Sequence, residues 1–210
     1  QKLTGFVEKY SLGNTIESVP WSIKNNTLTT EFVSEDRTLL GSVTLNSFDI
    51  DDAEMGIYNT TQLQKMISVL GSDVTVNLKK ADKRAIAIDM TDGDVSLNYM
   101  LADLDIIPKA PKLKTLPDTT VVIEINNDFI TKFVRAKNAL SESDNFTVIS
   151  NTITQIIIGE SDSNTNKINI NVKTESSQAM SAISFNANYL KEILAANRDH
   201  TDGKMEVCAG

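Results

Sequence analysis

Residues Phe48–Leu70 read FDIDDAEMGIYNTTQLQKMISVL. Within this stretch Glu54–Tyr58 is strand-like. Thr60–Leu70 has the spacing of an amphipathic helix, with Leu63, Met66, Ile67 and Leu70 on one face. Asn59 is placed to cap the helix start and Gly71 to end it. The stretch has an echo at Ile183–Leu194, ISFNANYLKEIL, which is also a strand-like run delivered into a helix. Tyr58-Asn59 falls on Phe185-Asn186 at a separation of 127, and Leu63 and Met66 fall on Leu190 and Ile193 at that same offset.

The offset recurs elsewhere. Phe6-Val7 returns as Phe133-Val134, again 127 apart, and Asn26–Thr30 (NTLTT) returns as Asn151–Gln155 (NTITQ), 125 apart. Near-constant offsets over separate segments in the same order indicate one module written twice. The alternative is convergence of two ordinary α+β patterns.

The first copy opens on Gln1–Tyr10, where Leu3, Phe6, Val7 and Tyr10 form a helical stripe. Strands are predicted at Val19–Lys24 and Thr27–Val33, around the turn Asn25-Asn26, and at Thr38–Leu45. After the Thr60–Leu70 helix come Val74–Leu78, Ala85–Met90 and Val95–Leu101, with Asp92-Gly93 as a hairpin turn. The second copy reads Thr119–Ile125, a helix over Phe129–Leu140 with Asp128 as its cap, then Phe146–Ser150, Thr152–Ile158, Lys167–Val172 and Ala182–Phe185. A helix at Asn188–Ala196 and Lys204–Val207 close it. The last two strands of the first copy have no counterpart in the second. An open-ended sheet exposes unpaired backbone, so about 20 further residues are expected beyond the given end, a degenerate copy being the alternative. The chain also starts at Gln1 rather than Met, which allows for a missing natural start. The organisation expected is a first module over 1–107, an extended surface connector over 108–117 carrying Pro108, Pro111, Pro117, Lys109, Lys112 and Lys114, and a second module over 118–210.

Composition bounds the function. The chain has 210 residues, 40% hydrophobic and 23% charged, as a globular protein does. No apolar run is long enough to span a membrane and no leader is visible, so a cytoplasmic location is expected, a host cytoplasm if the protein is viral. A single cysteine, Cys208, suits a reducing compartment and reads as a packed strand residue. The three Asn-x-Thr triplets at Asn25, Asn59 and Asn145 are read as chance.

Helix, strands, helix and further strands, repeated and joined by an extended connector, resemble the PCNA-type sliding clamps, and among these the clamps of T-even-type bacteriophages. Phe48–Leu70, Val74–Leu78 and Ile183–Leu194 carry the resemblance best; it covers nearly the whole chain as a pattern, not as sharp motifs. It implies an α+β fold of two tandem β-rich modules, with antiparallel sheets outside and two helices per module inside. Two modules per chain imply a homotrimeric ring around double-stranded DNA, working as a processivity factor with a DNA polymerase and a clamp-loader ATPase, with no catalysis, cofactor or metal. It further implies that Val95, Leu97 and Tyr99 pair with Ile168, Ile170 and Val172 of a neighbouring copy, and that Leu104, Ile106, Ile107 and Leu116 hold peptides from partners; the competing reading of these four residues is simple packing of the connector on the first module.

In such a ring the helices line the hole, and the charge pattern agrees. Segments 2–12, 60–70, 128–140 and 187–198 hold eight basic residues, Lys2, Lys9, Lys65, Lys132, Arg135, Lys137, Lys191 and Arg198, against Glu8, Asp128 and Glu192. The whole chain has 20 basic and 28 acidic residues, a net charge of −8, so everything outside these segments is strongly acidic. A basic lining attracts the phosphate backbone and an acidic exterior repels it. Lys and Arg contacts to phosphates carry no sequence information, as sliding requires. The competing reading is a solvated helix face.

Enzymatic readings find little to stand on. The single histidine, His200, has no nucleophile motif around it, and no phosphate-loop glycine spacing occurs. Asp49, Asp51, Asp52 and Glu54 form an acidic cluster, and Asp162–Asn166 a weaker one, but both lack the loop glycine of a calcium site. A carbohydrate-processing enzyme would need two carboxylates facing one cleft. The main alternative to a clamp is a tandem β-rich structural, virion or adhesion protein, which has no reason to concentrate basic charge on its helices.

Overall fold

The computed structural model describes residues 2–82, 84–112, 115–159, 166–200 and 202–209. The chain is α+β with antiparallel pairing throughout, and it divides into two compact units, Gln1–Lys112 and Leu113–Gly210. The boundary falls inside 108–117.

The first unit begins with α1 (Lys2–Ser11), whose buried Phe6, Val7 and Tyr10 follow the expected stripe. Then come β1 (Val19–Lys24), β2 (Thr27–Val33), β3 (Leu40–Asn46) and β4 (Ala53–Ile57), forming a sheet in the order β3-β2-β1-β4. Asn25 and Asn26 both take positive φ, 50° and 58°, the conformation that a two-residue hairpin demands and asparagine tolerates. Phe6, Tyr10 and Trp21 meet edge to face with centroids 5.5–6.3 Å apart and form the centre of this unit's core. Next come α2 (Thr60–Ile67) and a second sheet of β5 (Thr75–Ala81), β6 (Arg84–Thr91) and β7 (Ser96–Met100). A 3-10 turn at Leu104–Ile106 follows.

The second unit holds β8 (Val121–Ile125), α3 (Asn127–Ala139), β9 (Asn145–Ser150), β10 (Thr154–Ile158), β11 (Ile168–Asn171), β12 (Thr174–Ser177), β13 (Met180–Asn186), α4 (Ala187–Ala196) and β14 (Gly203–Val207). One sheet runs β11-β10-β9-β13 and the other β12-β8-β14. Phe129, Phe133, Phe146 and Phe185 form a continuous aromatic run, with successive centroids 5.4–6.0 Å apart. Phe133 and Val148 are fully buried within it.

Several local expectations are corrected. The cap of α3 is Asn126, whose side chain accepts the Phe129 N–H at 3.0 Å; Asp128 sits inside the first turn. α2 ends at Ser68, three residues before Gly71. The Gly71 N–H instead donates to the Asp92 carboxylate at 2.6 Å. β12 was not foreseen: TESS is short and largely exposed, so it carries no apolar alternation, and it is recruited by pairing with β8 across a bulge. Asn59 caps α2 as expected, accepting from Gln62 N–H at 2.7 Å, and Asn186 caps α4 in the same way.

Candidate functional site

The basic helix residues are placed in three ways. Lys2, Lys65, Arg135 and Arg198 are exposed, Arg198 lying just beyond the C-cap of α4. Lys9 and Lys191 are half-buried, and Lys191 Nζ is 3.9 Å from Glu192. Lys132 is exposed but held at 2.6 Å by Asp128, one turn earlier on α3. Lys137 is different: it is 3% exposed, and its Nζ donates to the Ser141 carbonyl at 2.8 Å. It occupies the i+7 position of the stripe begun by Ile130, Phe133 and Val134, so the helical period turns it inward. As the structure stands, Lys137 is therefore not available to a ligand at the surface.

α1 packs against α2 in the first unit and α3 against α4 in the second. Beside α3 lies the edge strand β11. The groove between them, about 560 Å³, has a floor of Ala136, Ala139, Ile168 and Ile170 and carries Lys132 and Arg135. A smaller hollow of about 400 Å³ at the start of α3 shares Lys132 and Ile170 and adds Lys173. In the first unit, a groove of about 630 Å³ lies between the start of α1, the end of α2 and β5, lined by Lys2, Leu3, Ile67, Leu70 and Val76.

Of the residues expected at an interface, Leu97, Tyr99, Ile168 and Ile170 lie on the outer strands β7 and β11, Val95 just precedes β7 and Val172 just follows β11. Val95 is exposed, and Leu97, Ile168 and Val172 are half-buried. Tyr99 and Ile170 are buried in their own units. The Tyr99 hydroxyl donates to the Asn59 carbonyl at 3.0 Å and accepts the Asn59 N–H at 3.1 Å; burial raises its pKa. What β7 and β11 offer outward is therefore largely backbone and the flanking side chains.

Of the residues expected to hold a partner peptide, Ile106 and Leu116 are 62% and 72% exposed, Ile106 in the first unit and Leu116 in the second. Leu104 is half-buried. Ile107 is 4% exposed and packs over Gly56, where an added Cβ would stand 3.0 Å from Ile107 Cγ1 and 2.6 Å from the Ala102 carbonyl. Its side chain is a core element, not a surface anchor.

The carboxylates of the Asp49–Glu54 segment are largely engaged in separate local bonds. Asp51 meets Lys80 at 3.0 Å, Asp52 accepts the Asn25 N–H at 3.0 Å, and Glu54 accepts from Ser22 and faces Lys24 at 3.4 Å. Among the described residues no group of three or more His, Cys, Asp or Glu is arranged to hold a metal. The second acidic stretch, 162–165, and Lys114 lie outside the described residues. His200 is exposed, with Nε2 3.6 Å from Asp199. Cys208 follows β14, and its Sγ lies 3.4 Å from the Pro117 carbonyl.

The sequence reading passed over the charges at the ends of the two outer strands: Asp94 before β7, and Lys167 and Lys173 around β11. The signal was in the sequence, since charge beside a strand that lacks a second neighbour marks how that edge is managed. No protein-family model matches the chain, and no curated protein matches it.

Proposed function

We propose that this chain is a DNA sliding clamp, a processivity factor that encircles duplex DNA as a head-to-tail ring of three copies and tethers a polymerase. The observation that carries the reading is the repeated architecture. In each unit a helix precedes a four-stranded antiparallel sheet and a second helix follows it. The two sheets run β3-β2-β1-β4 and β11-β10-β9-β13, the same order once β12 is set aside. On this reading the units are tandem copies and six of them make the ring.

The helix charge supports it further. Lys2, Lys65, Arg135 and Arg198 are exposed cations on or just beyond helices in a chain whose net charge is −8. Flexible cations meeting phosphates hold duplex without reading bases. Partners are double-stranded DNA, a polymerase, a loader ATPase and two further copies of the chain. A peptide from the polymerase would rest beside Ile106 or Leu116, with Leu104 at the margin. No helix among the described residues is long and apolar enough to cross a membrane.

The test is retention on DNA. The chain is loaded with its own loader onto nicked circular duplex, which is then either left circular or linearised. A ring stays on the circle and slides off the linear form. Equal loss from both topologies overturns the encircling reading. It would favour the alternative, a tandem β-rich structural or adhesion protein.

A further inference from the structure

Lys132 and Arg135 stand at i and i+3 on α3, so they are neighbours on the helix surface. Both border the groove of about 560 Å³ beside β11. Their electrostatic settings differ. Arg135 is exposed and makes no ion pair among the described residues. Lys132 is held at 2.6 Å by Asp128, one turn earlier, with the two side chains 56% and 72% exposed. At the recurring offset of 127, Asp128 and Lys132 stand where the first half of the chain has Gln1 and Gly5. Both charges of the pair therefore belong to the second half alone. The start of α3 already has its cap in Asn126, which leaves the pair free for a task other than holding the helix.

Resting on the clamp reading, we infer that Asp128 is a positioning residue that holds Lys132 back from the duplex, so that α3 gives the DNA backbone one phosphate contact, through Arg135, where its two surface cations could give two. The pair is neutral as a unit. A phosphate that takes the Lys132 ammonium sets free the Asp128 carboxylate, which draws back a cation from solution and repels the phosphate. The exchange releases no net counterion, and counterion release is what drives phosphate contacts. Arg135 has no such partner and releases its counterion in full. A sliding ring gains from the restraint, because every phosphate held must be let go at each step along the backbone. Asp128 thus acts on DNA only through Lys132, and it sets how tightly this unit grips without touching the duplex itself.

The experiment is an anisotropy titration of a short labelled duplex with the full chain over a salt series, with circular dichroism as a check on folding. Asp128→Asn should steepen the slope of log affinity against log salt by about 0.9, the value of one phosphate contact on B-form duplex. From about 50 mM to about 200 mM salt its affinity should then fall roughly 3.5-fold further than that of the wild type. Asp128→Glu keeps an i,i+4 partner for Lys132 and should hold the wild-type slope. Adding Lys132→Ala to Asp128→Asn should return the slope to the wild-type value. Glu31→Gln, at an exposed position on β2, removes one acid away from the helices and should leave the slope in place. An Asp128→Asn slope equal to that of the wild type, a gain that persists without Lys132, or an equal gain from Glu31→Gln overturns the inference and leaves the clamp reading standing. A wild type released alike from circular and linear duplex overturns both.

Discussion

Lys137 donates from Nζ to the carbonyl oxygen of Ser141 at 2.8 Å while only 3% exposed, which makes it a tie across the C-terminal end of α3. A buried charge satisfied by a carbonyl is costly to leave half-broken and cheap to replace with a well-packed apolar group. Lys137→Met should therefore shift unfolding free energy by no more than about 1.5 kcal/mol and leave DNA retention unchanged. Lys137→Glu should cost about 3 kcal/mol or more, since it sets an acid against the same carbonyl. Denaturant titration of both variants reads the difference. A loss of DNA retention in a fully folded Lys137→Met chain would return this residue to the ligand surface.

Asn126, rather than Asp128, should govern the start of α3. Asn126→Ala removes the acceptor for the Phe129 N–H and should cost about 1 kcal/mol. Asp128→Ala leaves that cap in place and removes an exposed i,i+4 pair with Lys132 and a first-turn acid, each contributing about 0.5 kcal/mol. Amide exchange at Phe129 separates the two, rising clearly in Asn126→Ala and little in Asp128→Ala.

Asp92 is an acid-sensitive clip. Its carboxylate accepts N–H groups from Gly71 at 2.6 Å, Val95 at 2.8 Å and Asp94 at 3.1 Å, and the Gly71 bond is the largest cause of its lowered pKa. A lowered folded-state pKa means that the contribution is present above the ordinary carboxylate pKa and is lost as pH falls through the folded value. Asp92→Asn should therefore be less stable than wild type at neutral pH, and the gap should close below about pH 4. A gap that is constant with pH would show that hydrogen-bond geometry, not charge, makes the clip.

Much of this fold was legible because hydrophobic period and turn chemistry agreed locally. Val19–Lys24 and Thr27–Val33 have the expected bounds, since alternation and an Asn-Asn turn fix both ends. β12 was illegible because exposed Thr-Glu-Ser-Ser has no pattern of its own and is a strand only through β8. Lys137 as a pore cation, and Ile107 as an anchor rather than a residue packed on the first module, are readings of residue type without its helical phase or its neighbour. Charge suggested solvent for Lys137, and an adjacent proline suggested a surface for Ile107. The first lies on an apolar stripe, and the second fills the space that Gly56 leaves.

Neighbouring isoleucines should behave oppositely. Ile107→Asp buries an unpaired charge against Gly56 and should destabilise the first unit by about 3 kcal/mol or more. Ile106→Asp, at a side chain 62% exposed, should leave stability within about 0.5 kcal/mol. If this segment anchors a polymerase peptide, Ile106→Asp alone lowers its affinity in a fluorescence titration. Undiminished binding by a folded Ile106→Asp chain would place the peptide elsewhere.

On the clamp reading, exposed helix cations hold the duplex. Lys132 is already paired with Asp128, and Lys191 lies near Glu192, so the cations freer to meet phosphates are Lys2, Lys65, Arg135 and Arg198. Each phosphate neutralised releases counterion and adds about 0.9 to the slope of log affinity against log salt on B-form duplex. Removing one such cation should therefore lower the slope by about one unit, irrespective of sequence. Arg135→Ala and Arg198→Ala should each do so, while Lys137→Met should not. The measurement is loader-dependent retention on closed circular duplex over a salt series, with Glu31→Lys, an exposed strand position on β2, as the control for net charge. That control raises the net charge without touching a helix, so it should leave the slope in place. If Glu31→Lys changes retention as strongly as the arginine variants do, overall charge governs binding, and the helices do not line the path of the DNA.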